Sequence, residues 1–120
     1  MRGGNLKPKF FKSQSQLRSW FVDKHNASTE VWVGFYKKDS GDTSVSYAEA
    51  VDEALCFGWI DGVRRKIDPI RYANRFTPRR PKSNWSKINI ENVKRLKKSG
   101  KMMPSGLEEV ARAKADGRFK

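Results

Sequence analysis

The chain has 120 residues, with 26 Lys and Arg against 13 Asp and Glu, a formal charge of +13, and a single Cys and a single His. That length suits one domain with its own core, and one Cys with one His excludes both an internal disulfide framework and a structural zinc site built on Cys and His. Leu, Ile, Val and Phe supply 25 of the 120 residues, so little that only four Trp, three Tyr and clear periodic segments mark the chain as folded.

No apolar run reaches the ~18 residues that a membrane span needs, and the first residues lead into Lys7 and Lys9 instead of an apolar stretch. The expectation is a cytoplasmic protein without signal peptide or membrane span. Charge reverses sign along the chain: residues 23–61 hold three cations against eight acids, and residues 62–101 hold 14 cations against two acids. No repeat or linker interrupts the pattern, so residues 1–9 read as a flexible basic N-terminus, 10–117 as one folded unit and 118–120 as a short C-terminal end.

A first helix is predicted after Ser13, which has capping-box spacing to Gln16, with Leu17, Trp20 and Phe21 on one face and a stop near His25. Residues 30–37, apolar or aromatic on both alternate faces, predict a central strand, and Gly34 leaves room for close packing on it. Turn residues 38–43 precede a second capping box, Ser46 to Glu49, with Val45 as its staple. That helix puts Tyr47, Val51, Ala54 and Leu55 inward and Glu49, Asp52 and Glu53 outward, and Gly58 ends it. Strands over 59–66 and 70–77 flank Ile67-Asp68-Pro69 as an antiparallel hairpin. In the second, Ile70, Tyr72 and Phe76 form a core face and Arg71, Ala73, Arg75 and Thr77 a cationic one. Overlapping caps at residues 83–89 open a helix carrying Ile88, Val93 and Leu96 to Gly100, and a last helix follows Ser105 with a capping box to Glu108, burying Leu107, Val110 and Ala111 and closing at Gly117. The sum is an α+β fold, about four helices covering a small, mainly antiparallel sheet of about three strands.

Residues 57–89 hold the one constellation that folding alone does not readily explain. Asp61 lies among Trp59, Ile60 and Val63, where a carboxylate needs a cation or several donors. Arg75, Arg79 and Arg80 follow on the next strand and its exit, and Thr77, Ser83, Ser86 and Asn89 lead into a helix start. Guanidinium forks, hydroxyls and a helix N-terminus together suit a phosphate or carboxylate, with Trp59 and Trp85 as stacking surfaces. The plainer alternative has Asp61 pairing with one Arg, the serines capping a helix and Trp85 stapling it to the sheet. If the protein is an enzyme, Asp61 is the acid or base, beside Arg75 and Arg79. A second surface, Lys87, Lys94, Arg95, Lys97, Lys98 and Lys101, is either a solvated helix face or a non-specific contact for nucleic acid or anionic membrane. Cys56 reads as a core thiol and Asp52 and Glu53 as solvated charge, and no metal or cofactor is expected.

The runs Glu30–Lys37, Ser46–Gly62 and Arg75–Asn89, with Gly100-Lys-Met102 and Asp116-Gly-Arg118, resemble the YdeI/OmpD-associated family, also labelled bacteriocin-protection proteins, over nearly the whole chain in order. The resemblance implies a role in tolerance of bacteriocins or envelope stress and no particular reaction or cofactor. The porin in the family label implies an envelope location, against which the absence of an export signal weighs. Many members are longer at the C-terminus. Trp59, Asp61, Arg75, Thr77, Arg79, Arg80, Ser83, Trp85, Ser86 and Asn89 fall both in the family motifs and in the cluster read from the residues. The functional expectation is a small binding module for an anionic ligand, with a possible stress-protection role.

Overall fold

The computed structural model describes residues 7–120, so most of the basic N-terminal segment, residues 1–6, lies outside the described residues. The elements in order are β1 (Lys9–Phe10), α1 (Gln14–Lys24), β2 (Val31–Tyr36), α2 (Tyr47–Cys56), β3 (Trp59–Asp68), β4 (Arg71–Pro78), α3 (Lys87–Lys98) and α4 (Pro104–Ala115). The four strands form one sheet in the order β1-β2-β4-β3, antiparallel except for the β1–β2 pair. The α+β class stands, with one strand more than the sequence pattern foresees. β1 is two residues long and carries no alternation to read, and it takes Lys9 out of the expected flexible end. Among the described residues no helix is long and apolar enough to cross a membrane.

The helix starts form where the caps place them. Ser13 accepts from the Gln16 amide, and at α2 the box is complete, with Ser46 Oγ accepting from the Glu49 amide and Glu49 Oε1 from the Ser46 amide. Gly58 takes φ +79°, the left-handed cap that its position demands. α4 departs from expectation because Pro104 opens it. Ser105 does not cap; its hydroxyl donates to the Phe57 carbonyl at 2.9 Å and ties α4 to the end of α2.

The cross-strand register sorts the sheet faces. Val31, Val33 and Phe35 oppose Phe76, Asn74 and Tyr72 on the helix-covered face, while Trp32, Gly34 and Tyr36 oppose Arg75, Ala73 and Arg71 on the other. Phe10 lies across Gly34, as the missing side chain allows. Over the helix-covered face one core gathers Leu17 and Phe21 of α1 and Ala54 and Leu55 of α2, joined by Val93 and Leu96 of α3 and Val110 of α4, helices that pack on α2.

Several inward assignments are corrected by helix phase and by where the sheet ends. Ile88 is 73 % exposed and Ile90 takes the buried place, because Ile90, Val93 and Leu96 share the three-residue spacing that faces α2. Leu107 and Ala111 face out and Gly106, Val110 and Ala113 face in. Val63 and Ile70 are exposed, at the bulged edge and the hairpin turn. Ala73 does share the face of Arg71 and Arg75, as expected, but is buried there opposite Gly34. Glu53 is buried, not solvated, and receives Arg18 at 2.8 Å and Gln14 at 2.7 Å. The C-terminal end is also fixed, with Arg118 donating to the Ser83 carbonyl at 2.7 Å and Phe119 edge-on to Trp85.

Candidate functional site

The site begins with an irregularity in β3. Asp61 pairs with Phe76 of β4, and the next registered pair on that side is Arg64 with Asn74, so Gly62 and Val63 bulge. In an unbroken strand, residues three apart point to opposite faces. The bulge turns both Asp61 and Arg64 toward the helices. Buried Asn74 holds it, its amide donating to the Gly62 and Arg75 carbonyls, each at 3.2 Å.

Asp61 meets α2 there, not an arginine: the Tyr47 hydroxyl donates to its Oδ2. Burial, then the Asp61 carboxylate accepting that proton, raises the Tyr47 phenol well above its ordinary range. The Arg64 guanidinium lies 5.1 Å from the Tyr47 ring centre and 4.4 Å from that of Tyr72.

Around Asp61 opens a cleft of about 660 Å³ between α2, the start of β3 and the start of α3. Its apolar wall is Ala48, Val51, Ile60 and Ile88, and its polar lining is Tyr47, Asp61, Asn84, Ser86, Asn89 and Asn92, with Trp85 between the two. Asp52 and Arg95 close the rim as a 2.8 Å ion pair, which raises the Arg95 pKa, and Arg95 also reaches Asn92 at 3.0 Å. Ser86 caps α3 through the Asn89 amide. The ionised lining thus holds two carboxylates and one guanidinium.

Of the residues expected to make the site, Asp61, Trp85, Ser86 and Asn89 come together in this cleft. The three arginines do not join them there. Arg75 pairs with Glu30 at 2.6 Å on the face opposite the helices. Arg80 is exposed beyond the strand. Arg79 is only 6 % exposed and lies beneath Trp85, its guanidinium carbon 3.6 Å from the ring centre, with Nη1 donating to Ser83 Oγ at 2.9 Å and to the Asn84 carbonyl at 3.2 Å. Burial lowers its pKa to about 10, against the raising influence of Glu109 and Asp61. Arg79 Nε and Nη2 and Trp85 Nε1 are buried without a partner among the described residues. Thr77 stands on β4 opposite Ile60, and Trp59 is a core residue, 2 % exposed and edge-on to Trp20 and Phe21, so it offers no stacking surface.

The basic helix face is divided. Lys94 reaches Glu91 at 3.4 Å and Arg95 belongs to the cleft rim, leaving Lys87, Lys97, Lys98 and Lys101 exposed. Tyr47, Asn84 and Asn92 were not foreseen as site residues. Gly62 inside a strand pattern was the available signal for the bulge that gathers them, and the phase set by Ser86 was the signal that Ile88 faces the cleft.

A family model described as a domain of unknown function (DUF8412) matches residues 9–109, and the chain belongs to that family. Neither the curated proteins nor the solved structures gave a match.

Proposed function

We propose that the protein is a small-molecule binding module whose site is the cleft between α2, β3 and α3. The observation that carries this reading is the placement of Asp61, joined to Tyr47, in a concave space of about 660 Å³ that also exposes Trp85, Ser86 and Asn89. An apolar wall with a few convergent polar groups is the usual character of a ligand site, and the volume lies inside the common range of ~300–1,000 Å³. The ligand class follows from the lining. With two carboxylates against one guanidinium already paired to Asp52, the cleft suits an uncharged or cationic molecule. Such a ligand would carry an apolar or aromatic body for Val51, Ile60, Ile88 and Trp85 and a donor for Asp61. The anionic ligand expected from the arginine count loses its support here, since those arginines stand elsewhere. The motif resemblance to bacteriocin-protection proteins supports stress protection as the setting of this binding.

The test is a fragment screen by amide NMR, using neutral and cationic aromatic fragments beside aromatic carboxylates. Donor-bearing fragments should shift the amides of Asp61, Ser86 and Asn89 together, and Asp61→Asn should weaken them about tenfold, the loss of one charge-assisted hydrogen bond. Preferential binding of the carboxylates, or hits scattered away from these amides, would refute the proposal.

A further inference from the structure

At the far end of the sheet, where β2 runs into its exit loop, a second hollow of about 420 Å³ is lined by Tyr36, Lys37, Lys38, Arg64, Lys66 and Tyr72. Four of these six are cations, and none of the four side chains has an ion pair among the described residues. Seven other cations, Arg18, Arg71, Arg75, Lys94, Arg95, Arg112 and Arg118, meet a carboxylate, and Lys87, Lys97 and Lys98 of α3 and Lys101 after it meet none among the described residues; what sets the four here apart is that they line one concavity. The nearest acids in sequence do not serve the hollow. Asp61, three residues from Arg64, accepts from the Tyr47 hydroxyl at the cleft. Asp68 is taken by Arg71 at 2.7 Å, and Asp39 is exposed and pairs with none of the four.

Backbone pairing places Lys37 and Lys66 at the hollow, and ring contacts place the Arg64 guanidinium there. The Lys37 amide donates to the Ile70 carbonyl at 2.8 Å, which ties the exit loop to the hairpin turn. Lys66 stands directly opposite Tyr72 in the β3–β4 register, and the Gly62–Val63 bulge brings Arg64 to the same side, its guanidinium 4.4 Å from the Tyr72 ring centre. Like charges gathered around one concavity repel one another and focus a positive field into it. A multivalent anion relieves that repulsion most fully in one binding event, since a single carboxylate would neutralise one cation of four. Phosphate oxygens accept from ammonium, guanidinium and phenol donors alike, and all three are present in the lining.

We propose that this hollow binds a ligand bearing a diphosphate, of the size and charge of a nucleoside diphosphate. It shares no lining residue with the cleft, so the two proposals stand or fall separately.

The experiment is calorimetric titration of the full chain with inorganic pyrophosphate, ADP, adenosine and a single-stranded oligonucleotide, at about 0.15 M and again at about 0.5 M salt. Two variants are compared: Lys37→Gln with Lys66→Gln in the hollow, and Lys97→Gln with Lys98→Gln on α3. All four lysines are exposed, so melting should not change. Pyrophosphate and ADP should bind and compete with each other while adenosine does not, and the hollow variant should lose about tenfold or more in affinity with the α3 variant unaffected. No pyrophosphate binding, or equal losses in both variants, overturns the proposal. So does binding confined to the oligonucleotide and vanishing at the higher salt, which would assign the charge to non-specific polyanion contact.

Discussion

Replacing Arg79 by alanine distinguishes an arginine that holds the fold from one that waits for a ligand. The side chain is 6 % exposed, donates to Ser83 Oγ at 2.9 Å and the Asn84 carbonyl at 3.2 Å, and lies 3.6 Å under the Trp85 ring. Two hydrogen bonds from a charged donor contribute ~1.5–3 kcal/mol each, and a desolvated cation–π contact about 2 kcal/mol. Against this stands the cost of burying the charge. A pKa lowered from 12.5 to about 10 corresponds, at ~1.4 kcal/mol per unit, to about 3 kcal/mol that the truncation gives back. The balance is a net loss of about 2–5 kcal/mol for Arg79→Ala, read from reversible urea unfolding with an unchanged slope. Arg79→Met removes the charge while keeping the stem under Trp85, so it should be the milder change. An Arg79→Ala protein within about 0.5 kcal/mol of wild type would refute the anchoring argument and return this guanidinium to the list of ligand contacts.

Three further outcomes follow from packing and titration. At Gly106 an added Cβ would come within 2.7 Å of the Cys56 carbonyl carbon and the Leu55 carbonyl oxygen, both backbone atoms. Gly106→Ala should therefore cost about 1–3 kcal/mol in thermal melts despite a helix-propensity gain of about 1 kcal/mol, and a raised melting point would contradict the close approach of α4 to α2. Cys56 is fully buried, and burial pushes its thiol from 9.0 up to about 11. The folded state thus favours the neutral thiol, so this contribution to stability is complete below about pH 9 and lost as pH rises toward 11; relative to Cys56→Ala, wild type should lose stability across that window, and the folded protein should resist thiol reagents. Ser46→Ala removes the acceptor for the Glu49 amide at 3.1 Å and should lower stability by about 1 kcal/mol in urea unfolding, an effect that Ser46→Asp would largely avoid.

The elements legible in the sequence are those defined by local chemistry: the caps at Ser13, Ser46 and Ser86, the left-handed stop at Gly58, the central strand of residues 31–36 and the alternation of β4. What failed was long-range. β1 exists only because β2 offers an edge, and two residues carry no period. Glu53 looked solvated because its partners, Gln14 and Arg18, are 39 and 35 residues away. Trp59 looked like a stacking surface because aromatic residues serve cores and sites alike, and only the packing of Trp20 and Phe21 decides which. Ile88 is apolar yet exposed because the Ser86 cap sets a helix phase that turns Ile90, Val93 and Leu96 inward.

The site followed the same division. Ser86, Asn89 and Trp85 were recognisable because a helix start is a local event, and they do reach the cleft. The arginines were grouped by proximity in sequence, yet β4 alternation sends Arg75 to the face opposite the helices, and the turn after Pro78 folds Arg79 beneath Trp85. Net charge is thus a poor guide to the site: 14 cations between residues 62 and 101 suggest an anion site beside Asp61, where the structure has a largely neutral cleft. Four cations without an ion pair among the described residues gather instead around Tyr36 and Tyr72, two of them, Lys37 and Lys38, from the acidic stretch of the chain. A bulge at Gly62 links the two results. It gives Asp61 to Tyr47 at the cleft and turns Arg64 over Tyr72 at the hollow, so one extra residue in an edge strand separates a largely neutral cleft from a basic hollow.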